Sequence, residues 1–316
     1  MNILIIKLGA TGDVVRTTPL LGRLGGHVTW LTARKNVVLL QGINDDLTGL
    51  GWEERHLVPS LKYDLVINLE DTLDVASYVR TLNYQQLFGA VAGVDDVLRY
   101  SDDSAHWFNL SLISKFGREE ADRMKLANRR TYQDLIFDGL GLKFDGDRYL
   151  LPEVPESALR GDVAISPEAG PVWPMKNWAY YGELKSELES RGLIVNLLPR
   201  RESLLEHLAD VKGHRCLVSG DSLPMHFALG TGTRCVSLFT CTGPWEIHDY
   251  GVQKQIVSPL LDEFFFKRGL DKRATTAITV KEVLEAVLNQ LEVASGSVSH
   301  KAVKPCAPKT QASVES

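Results

Sequence analysis

The feature that most restricts the fold is an alternation running along most of the chain, in which short apolar, β-branched runs are separated by segments of helical period. The runs lie at residues 3–8, 28–33, 64–69, 163–166, 193–198, 215–219 and 234–239. Several are apolar throughout, which a strand needs only when both its faces are covered, as in parallel sheets flanked by helices. Between them Tyr180, Leu184 and Leu188 recur at i, i+4, i+8, and Val283, Leu284, Val287, Leu288 and Leu291 form a similar stripe, the mark of amphipathic helices. The expected class is α/β. The chain has 316 residues, more than one core usually serves, and the stretch 143–161 contains Pro152 and Pro155 without any sustained period. Two domains are therefore expected, residues 1–150 and 151–293. From 294 to 316 the sequence turns to Ser, Ala, Lys and Pro, a composition that cannot bury a core and predicts a disordered tail.

Charge and cysteine usage narrow the function classes. Lys and Arg number 35 against 40 Asp and Glu, a net charge of -5, so nucleic acid is not an expected partner. The basic run at 115–130 sets Lys115, Arg118, Arg123, Lys125, Arg129 and Arg130 against Glu119, Glu120 and Asp122. It reads either as a solvated helix face or as a face turned toward an anionic acceptor. Cys216, Cys235, Cys241 and Cys306 form no CxxC pair, and the first two lie in apolar runs where a thiol packs as a small hydrophobe, which fits a reducing compartment. MNILII is too short an apolar stretch for a signal peptide, and no run approaches the roughly 18 apolar residues of a membrane span. A cytoplasmic protein is expected, with membrane contact confined to a peripheral association at the inner membrane.

Two turns stand out. ILIIKL leads into GATGD, residues 9–13, and then a helical pattern; RCLVSGD leads into SLPMHFAL. Each half thus places Gly-Asp where a strand hands over to a helix, the edge at which parallel sheets bind ligands. Two such domains face to face would set Asp13 and Asp221 across one cleft. GATGD is neither a G-x-G-x-x-G fingerprint nor a phosphate loop with Gly-Lys-Ser/Thr, which disfavours nicotinamide enzymes and P-loop kinases. Asp13 reads equally well as the cap of a helix beginning near Val14. Ser222 lacks the frame of a hydrolase nucleophile and reads as an N-cap, with Pro224 in the first turn. That leaves Asp221 free to meet a ligand, while His226, four residues on, is either a ligand contact or a packed histidine. Lys176, within WPMKNW, suits a diphosphate or is a solvated loop residue. TGPWEIHDYG, residues 242–251, has the polar and aromatic character of a binding loop. The run Phe264, Phe265, Phe266 reads most simply as a buried strand. No metal-ligand constellation is present, the Asp145-Gly-Asp147 pair being explained as a turn.

KLGATGDVVRTTPLL, residues 7–21, together with SGDSLPMHFALGTGTRCVSLFTCTGPWEIHDYG, residues 219–251, resembles the ADP-heptose lipopolysaccharide heptosyltransferase family, glycosyltransferase family 9. The resemblance implies a glycosyltransferase B-type fold, two Rossmann-like domains facing across a cleft, with acceptor bound by the first and nucleotide-sugar by the second. It implies Asp13 as catalytic base and Lys176 as the donor-phosphate lysine. Asp221 would meet the donor sugar, with Gly220, Ser222, His226 and Thr242 in the same motif, Glu202 would meet the nucleotide ribose, and Gly12 and Arg16 would lie on the acceptor side. LLPRRES in place of a Gly-rich turn, and LFTCTGP in place of Gly-Pro-Thr, are departures from the family pattern.

The expected function is an inverting, metal-independent transfer of a heptose or related sugar from a nucleotide diphosphate, ADP-heptose first, to a hydroxyl on a glycolipid, glycan, protein or small metabolite, with no cofactor. The alternatives are a nucleotide-sugar epimerase of similar architecture and a catalytically silent member that binds a carbohydrate or a partner.

Overall fold

A computed structural model describes residues 1–110 and 115–294; the tail predicted to be disordered lies almost wholly outside the described residues. The first half forms a sheet of six strands: β1 (Asn2–Ile6), β2 (His27–Thr32), β3 (Leu47–Gly51), β4 (Tyr63–Asn68), β5 (Tyr84–Ala92) and β6 (Leu98–Tyr100). Their order is β3-β2-β1-β4-β5-β6, parallel except for β6, which runs antiparallel to β5. The helices of this half are α1 (Thr11–Thr17), α2 (Leu73–Arg80), α3 (Ala105–Asn109), α4 (Arg118–Ala127) and α5 (Tyr132–Gly139). The second half forms a parallel sheet from β7 (Gly161–Ser166), β8 (Val195–Leu197), β9 (His214–Gly220), β10 (Arg234–Phe239) and β11 (Gln253–Val257), in the order β11-β10-β9-β7-β8. Its helices are α6 (Tyr181–Glu189), α7 (Leu204–Lys212), α8 (Leu223–Thr231), α9 (Leu261–Phe264), α10 (Lys272–Thr276) and α11 (Val280–Ala294). The expected α/β class and the pair of Rossmann-like sheets are both present.

Each sheet is covered on both faces, which is why its central strands are apolar in both directions. Ile3 and Ile5 of β1 point into one core with Trp30 and Phe137, while Leu4 and Ile6 point into the other with Val66 and Val79. In the second sheet Val163, Val218 and Leu238 meet the stripe Val283, Val287, Leu291 of α11, and Ala164, Leu217 and Phe239 meet α7 and α8. That last core also takes in Val15 of α1 and Leu39 from the first half. The two halves are therefore joined through apolar side chains, with α1 packed on α8. Between α5 and β7 no helix or strand forms, and Tyr149 and Leu151 of this segment pack on the second half while Leu150 packs on the first.

Three expectations change. Helix α1 begins at Thr11, so Asp13 is its third residue and not the residue ahead of it; its Oδ2 accepts from the Ala10 amide at 3.3 Å, the returning arm of a capping box. Ser222 occupies the N-cap position of α8, but its hydroxyl donates back to the Gly220 carbonyl at 3.3 Å and does not cap. The three phenylalanines form no strand. Phe264 closes α9 and packs with Met175, Cys241 and Ala274, and Phe266 turns the chain in a left-handed conformation (φ 51°), its amide donating to the Cys241 carbonyl at 2.9 Å. Aromatic runs favour strands through packing on neighbouring strands, and here Phe264 packs instead on Met175, Cys241 and Ala274 after the chain has left β11.

Candidate active site

In an open parallel sheet, neighbouring strands whose crossovers leave in opposite directions open a crevice at their carboxyl ends. In the first sheet that point lies between β1 and β4, and in the second between β7 and β9. The residues that follow these four strands are Lys7 to Asp13, Leu69 to Asp71, the loop carrying Lys176, and Asp221.

At the first crevice Glu70 organises the turn. Its Oε1 accepts from Lys7 Nζ at 2.8 Å and from the Leu8 amide at 2.7 Å. Asn36, fully buried, donates from Nδ2 to the Leu8 carbonyl at 2.9 Å and accepts from the Thr11 hydroxyl at 2.8 Å, so the loop into α1 is held from both sides. Asp13 then projects with its side chain 32% exposed, Oδ1 lying 3.0 Å from Arg16 Nε and Oδ2 3.8 Å from Lys7 Nζ. Burial works to raise its pKa, but Arg16, Lys7, His226 and Lys125 outweigh that, and the carboxyl is held below its usual value. Arg16 lies over the Tyr132 ring at 3.9 Å, and its NH1 is 3.8 Å from Glu246 Oε2, a residue of the second half. A cavity of about 320 Å³ opens beside Asp13, walled by Leu69, Trp107, Phe108 and Tyr132 and charged by Arg16, Arg118, Lys125, Glu246 and Arg268. Two residues of the basic run, Arg118 and Lys125, thus line this cavity.

At the second crevice Lys176 ends a short 3-10 turn, Pro174–Lys176, whose Met175 carbonyl accepts from the buried Thr240 hydroxyl at 2.7 Å. The Lys176 carbonyl comes so close to Gly220 that a Cβ there would meet it at 3.0 Å, which accounts for glycine at the end of β9. Lys176 Nζ donates to both the Asp221 carbonyl and Asp221 Oδ2, each at 2.8 Å, and the Thr242 hydroxyl donates to the same carboxylate oxygen at 2.8 Å. Asp221 is thus held by Lys176 and Thr242: burial would raise its pKa, but Lys176, His226 and Thr242 overcome burial and drive it well down. Glu202 is exposed on the loop after β8, and the contacts of this cluster do not include it.

His226 joins the two crevices. It is 5% exposed on α8, and a Cβ placed on Gly12 would lie 2.8 Å from its Cδ2, so the imidazole of one Gly-Asp motif seats against the glycine of the other. Its other side faces the Tyr149 ring, 6.0 Å between centroids. Burial and then the positive charge of Arg16 push its pKa down to about 4, so it is neutral at pH 7. Nδ1 has no hydrogen-bond partner among the described residues.

The structure thus gathers Gly12, Asp13 and Arg16 at the first crevice and Lys176, Gly220, Asp221, Ser222 and Thr242 at the second, with His226 of the second against Gly12 of the first, and leaves Glu202 on its exposed loop. The reading of the residues did not single out Lys7, Glu70, Tyr132 or Glu246 for roles. A signal existed for the first two, since ILIIK and VINLE both end an apolar strand on a charge. Among the described residues no group of three or more His, Cys, Asp or Glu is arranged to hold a metal ion, and no helix is long and apolar enough to cross a membrane.

Residues 176–263 match the family model of glycosyltransferase family 9 (heptosyltransferase), which takes in Lys176, Asp221, His226 and Glu246. Among solved structures the chain is similar to E. coli heptosyltransferase WaaC with ADP, at 14% identity and a TM-score of 0.63, over 92% of this chain and 100% of that one. E. coli ADP-heptose lps heptosyltransferase II is similar at 16% identity and a TM-score of 0.57, over 94% and 100%. A glycosyl transferase family 9 protein from Veillonella parvula is similar at 13% identity and a TM-score of 0.58, over 92% and 97%. Among curated proteins no sequence matches the chain. The fold is that of the two-domain heptosyltransferases, and the family signature falls on the second crevice.

Proposed function

We propose, from a chain with the glycosyltransferase B-type fold and a family 9 signature, that the protein transfers a heptose or related sugar from a nucleotide diphosphate, ADP-heptose first among candidates, to an acceptor hydroxyl, with inversion and without a metal ion. The observation that supports this most is the meeting of the two crevices, Asp13 at one and the Lys176–Asp221 pair at the other, with His226 of the second seated on Gly12 of the first.

In this reading the acceptor lies in the cavity beside Asp13 and the donor at the carboxyl ends of β7 and β9. The acceptor oxygen bonds the anomeric carbon as the bond from that carbon to the phosphate oxygen breaks. Asp13 takes the hydroxyl proton, and the departing diphosphate keeps the electron pair. Its growing charge is met by Lys176 Nζ and by the amides at the start of α8, which is electrostatic stabilisation where charge develops. Lys176 is already bonded to Asp221, so a bound diphosphate must share the ammonium with that carboxylate. Asp221, still held by Thr242, is then placed to accept from sugar hydroxyls.

The test is incubation with ADP-heptose and a panel of glycolipid, glycan, peptide and small-molecule acceptors, with ADP release and the product's anomeric configuration followed by NMR. Release that depends on an acceptor, with an inverted linkage, is expected. Isomerisation of ADP-heptose in the absence of any acceptor would replace this reading with an epimerase.

A further inference from the structure

Asp13 stands at one end of a row of alternating charges that crosses between the two halves of the molecule. Asp13 Oδ1 lies 3.0 Å from Arg16 Nε, Arg16 NH1 lies 3.8 Å from Glu246 Oε2, and Glu246 Oε1 lies 3.6 Å from Lys125 Nζ. Three of the four belong to the first half, on α1 and α4. Glu246 alone comes from the second, at the end of the turn Pro244–Glu246 that follows β10. All four side chains line one cavity, with Arg16 and Lys125 each 14% exposed and Glu246 18%, so solvent screens these interactions less than it would on an open surface. Arg16 is stacked on the Tyr132 ring, which confines its guanidinium to the line between the two carboxylates.

The other charges facing Asp13 are already committed. Lys7 is bonded to Glu70 at 2.8 Å and stands farther from Asp13, at 3.8 Å, than Arg16 does; Lys125 is held by Glu246 at 3.6 Å; and His226 is neutral, its pKa pushed down to about 4. Arg16 is thus the charge that most decides how readily Asp13 takes a proton, and Glu246 is the group that divides Arg16 from it. Were the halves apart, Arg16 and Lys125 would lose their shared carboxylate and Arg16 would fall wholly to Asp13.

We infer that Glu246 is a positioning residue for the transfer: by taking a share of Arg16 it keeps that guanidinium from fully neutralising the Asp13 carboxylate, and it does so only while the two halves are together. Base strength is then tied to the assembled cleft. The inference rests on Asp13 being the base, and it concerns a residue that reaches Asp13 only through Arg16.

The experiment is a double-mutant cycle on the full chain: wild type, Glu246→Gln, Arg16→Met and the double variant, with Glu246→Asp as the charge-keeping control and Asp13→Asn as the control for the base. ADP-heptose is the donor, and the acceptors are a heptose-deficient lipopolysaccharide and, read as ADP-heptose hydrolysis, water. Glu246→Gln is expected to lower kcat by about three- to fivefold, the shallow dependence on base strength of a reaction whose proton becomes labile late, while leaving both KM values within about twofold, Glu246→Asp to recover most of that loss, and the Gln substitution to change kcat by less than about 1.5-fold once Arg16 is Met. An equal fall in both Arg16 backgrounds would overturn the inference, because Glu246 would then act independently of Arg16. A raised acceptor KM with kcat intact would overturn it as well, making Glu246 an acceptor contact. Full turnover by Asp13→Asn, or no turnover of ADP-heptose by the wild type with either acceptor, would sink the underlying reading and this inference with it.

Discussion

Gly12→Ala tests how closely the cleft geometry depends on the contact between the two motifs. The new methyl group would stand 2.8 Å from His226 Cδ2 and 3.3 Å from Nε2, against ordinary contact at 3.4–4 Å. The deficit is about 0.6 Å, and little nearby can absorb it. The imidazole is 5% exposed and faces Tyr149, itself 3% exposed, while α1 is fixed through Val14 and Val15, both fully buried. Relief therefore requires α1 and α8 to move apart, which separates Asp13 from the Lys176–Asp221 pair. Overpacking of this kind costs about 1–3 kcal/mol, and a displacement approaching an ångström between reacting groups can cost on the order of 10²-fold in rate. We expect Gly12→Ala to lower the stability measured in urea by about 1–3 kcal/mol and turnover by about 10- to 100-fold, with ADP affinity nearly unchanged, since the donor residues are all in the second half. In a His226→Ala background the methyl group has room, and the same substitution should cost less than about 0.5 kcal/mol, the usual range for a change away from strain. An equal cost in both backgrounds would refute the steric argument, and a Gly12→Ala enzyme with full activity would show that the contact does not set the geometry.

Other outcomes follow from the same contacts. Asp13→Asn should keep stability and ADP affinity near wild type while lowering turnover on the order of 10²–10⁴-fold, the range for a lost general base; full turnover would remove Asp13 from that role. Lys176→Ala leaves the Asp221 carboxylate without its cation, so it should weaken ADP binding and lower the melting temperature together; adding Asp221→Asn should recover the melting temperature but not the binding, and an unaltered ADP affinity would mean the lysine does not hold phosphate. His226 binds a proton near 6.5 when unfolded and only near pH 4 when folded, so the unfolded chain takes up more protons in that window and stability falls as pH drops through it, by at most about 1.4 kcal/mol per pH unit. His226→Gln should flatten that fall in urea melts at pH 6.5 and 5, and an unchanged slope would mean the imidazole is already charged in the fold. Turnover is expected to survive exhaustive chelation; a loss restored by Mg²⁺ would overturn the metal-free reading.

Most of the strands that the sequence made legible are those buried on both faces, which must be apolar at every position; the edge strand β8 was legible as well because LIVNLL is itself an apolar run. The others were obscured for physical reasons. LTGLG of β3 contains two glycines, YQQLFGAVA of β5 opens with exposed polar residues, and QKQIV of β11 lies at a sheet edge, where half its side chains face water. The site divides similarly. Asp13 and Asp221 could be singled out because a Gly-Asp turn between a strand and a helix is a local pattern, and Lys176 because a lysine bracketed by tryptophans is one too. Lys7 and Glu70 are 63 residues apart, and Glu246 reaches Arg16 from the other half of the chain. No local period records such partnerships; they exist only once the parallel order of β1 and β4, and the packing of α1 on α8, bring the residues together. The phenylalanine run failed as a strand for the converse reason, because local propensity was clear but the tertiary contact of Phe264 with Met175, Cys241 and Ala274 overrode it.

One difficulty in the proposed chemistry is resolved by the same electrostatics. A general base works best when its pKa lies near the working pH, yet Asp13 is held below the ordinary carboxylate range by Arg16 and Lys7 despite its burial. It is ionised at pH 7 but weakly basic. Such a base suffices when the acceptor hydroxyl becomes acidic during the reaction, as it does when its oxygen bonds an anomeric carbon that already carries cationic character. Before that moment a weak base leaves water and acceptor largely undisturbed, which limits wasteful hydrolysis of the donor. The cations that weaken Asp13 also hold it charged and aimed, so position is secured at the expense of basicity, and a reaction whose proton becomes labile late is the one that tolerates the exchange. Acceptors with more acidic hydroxyls should consequently gain little in rate, and a steep rise in kcat with acceptor acidity would mean that proton removal comes early and that Asp13 is too weak for the task assigned to it.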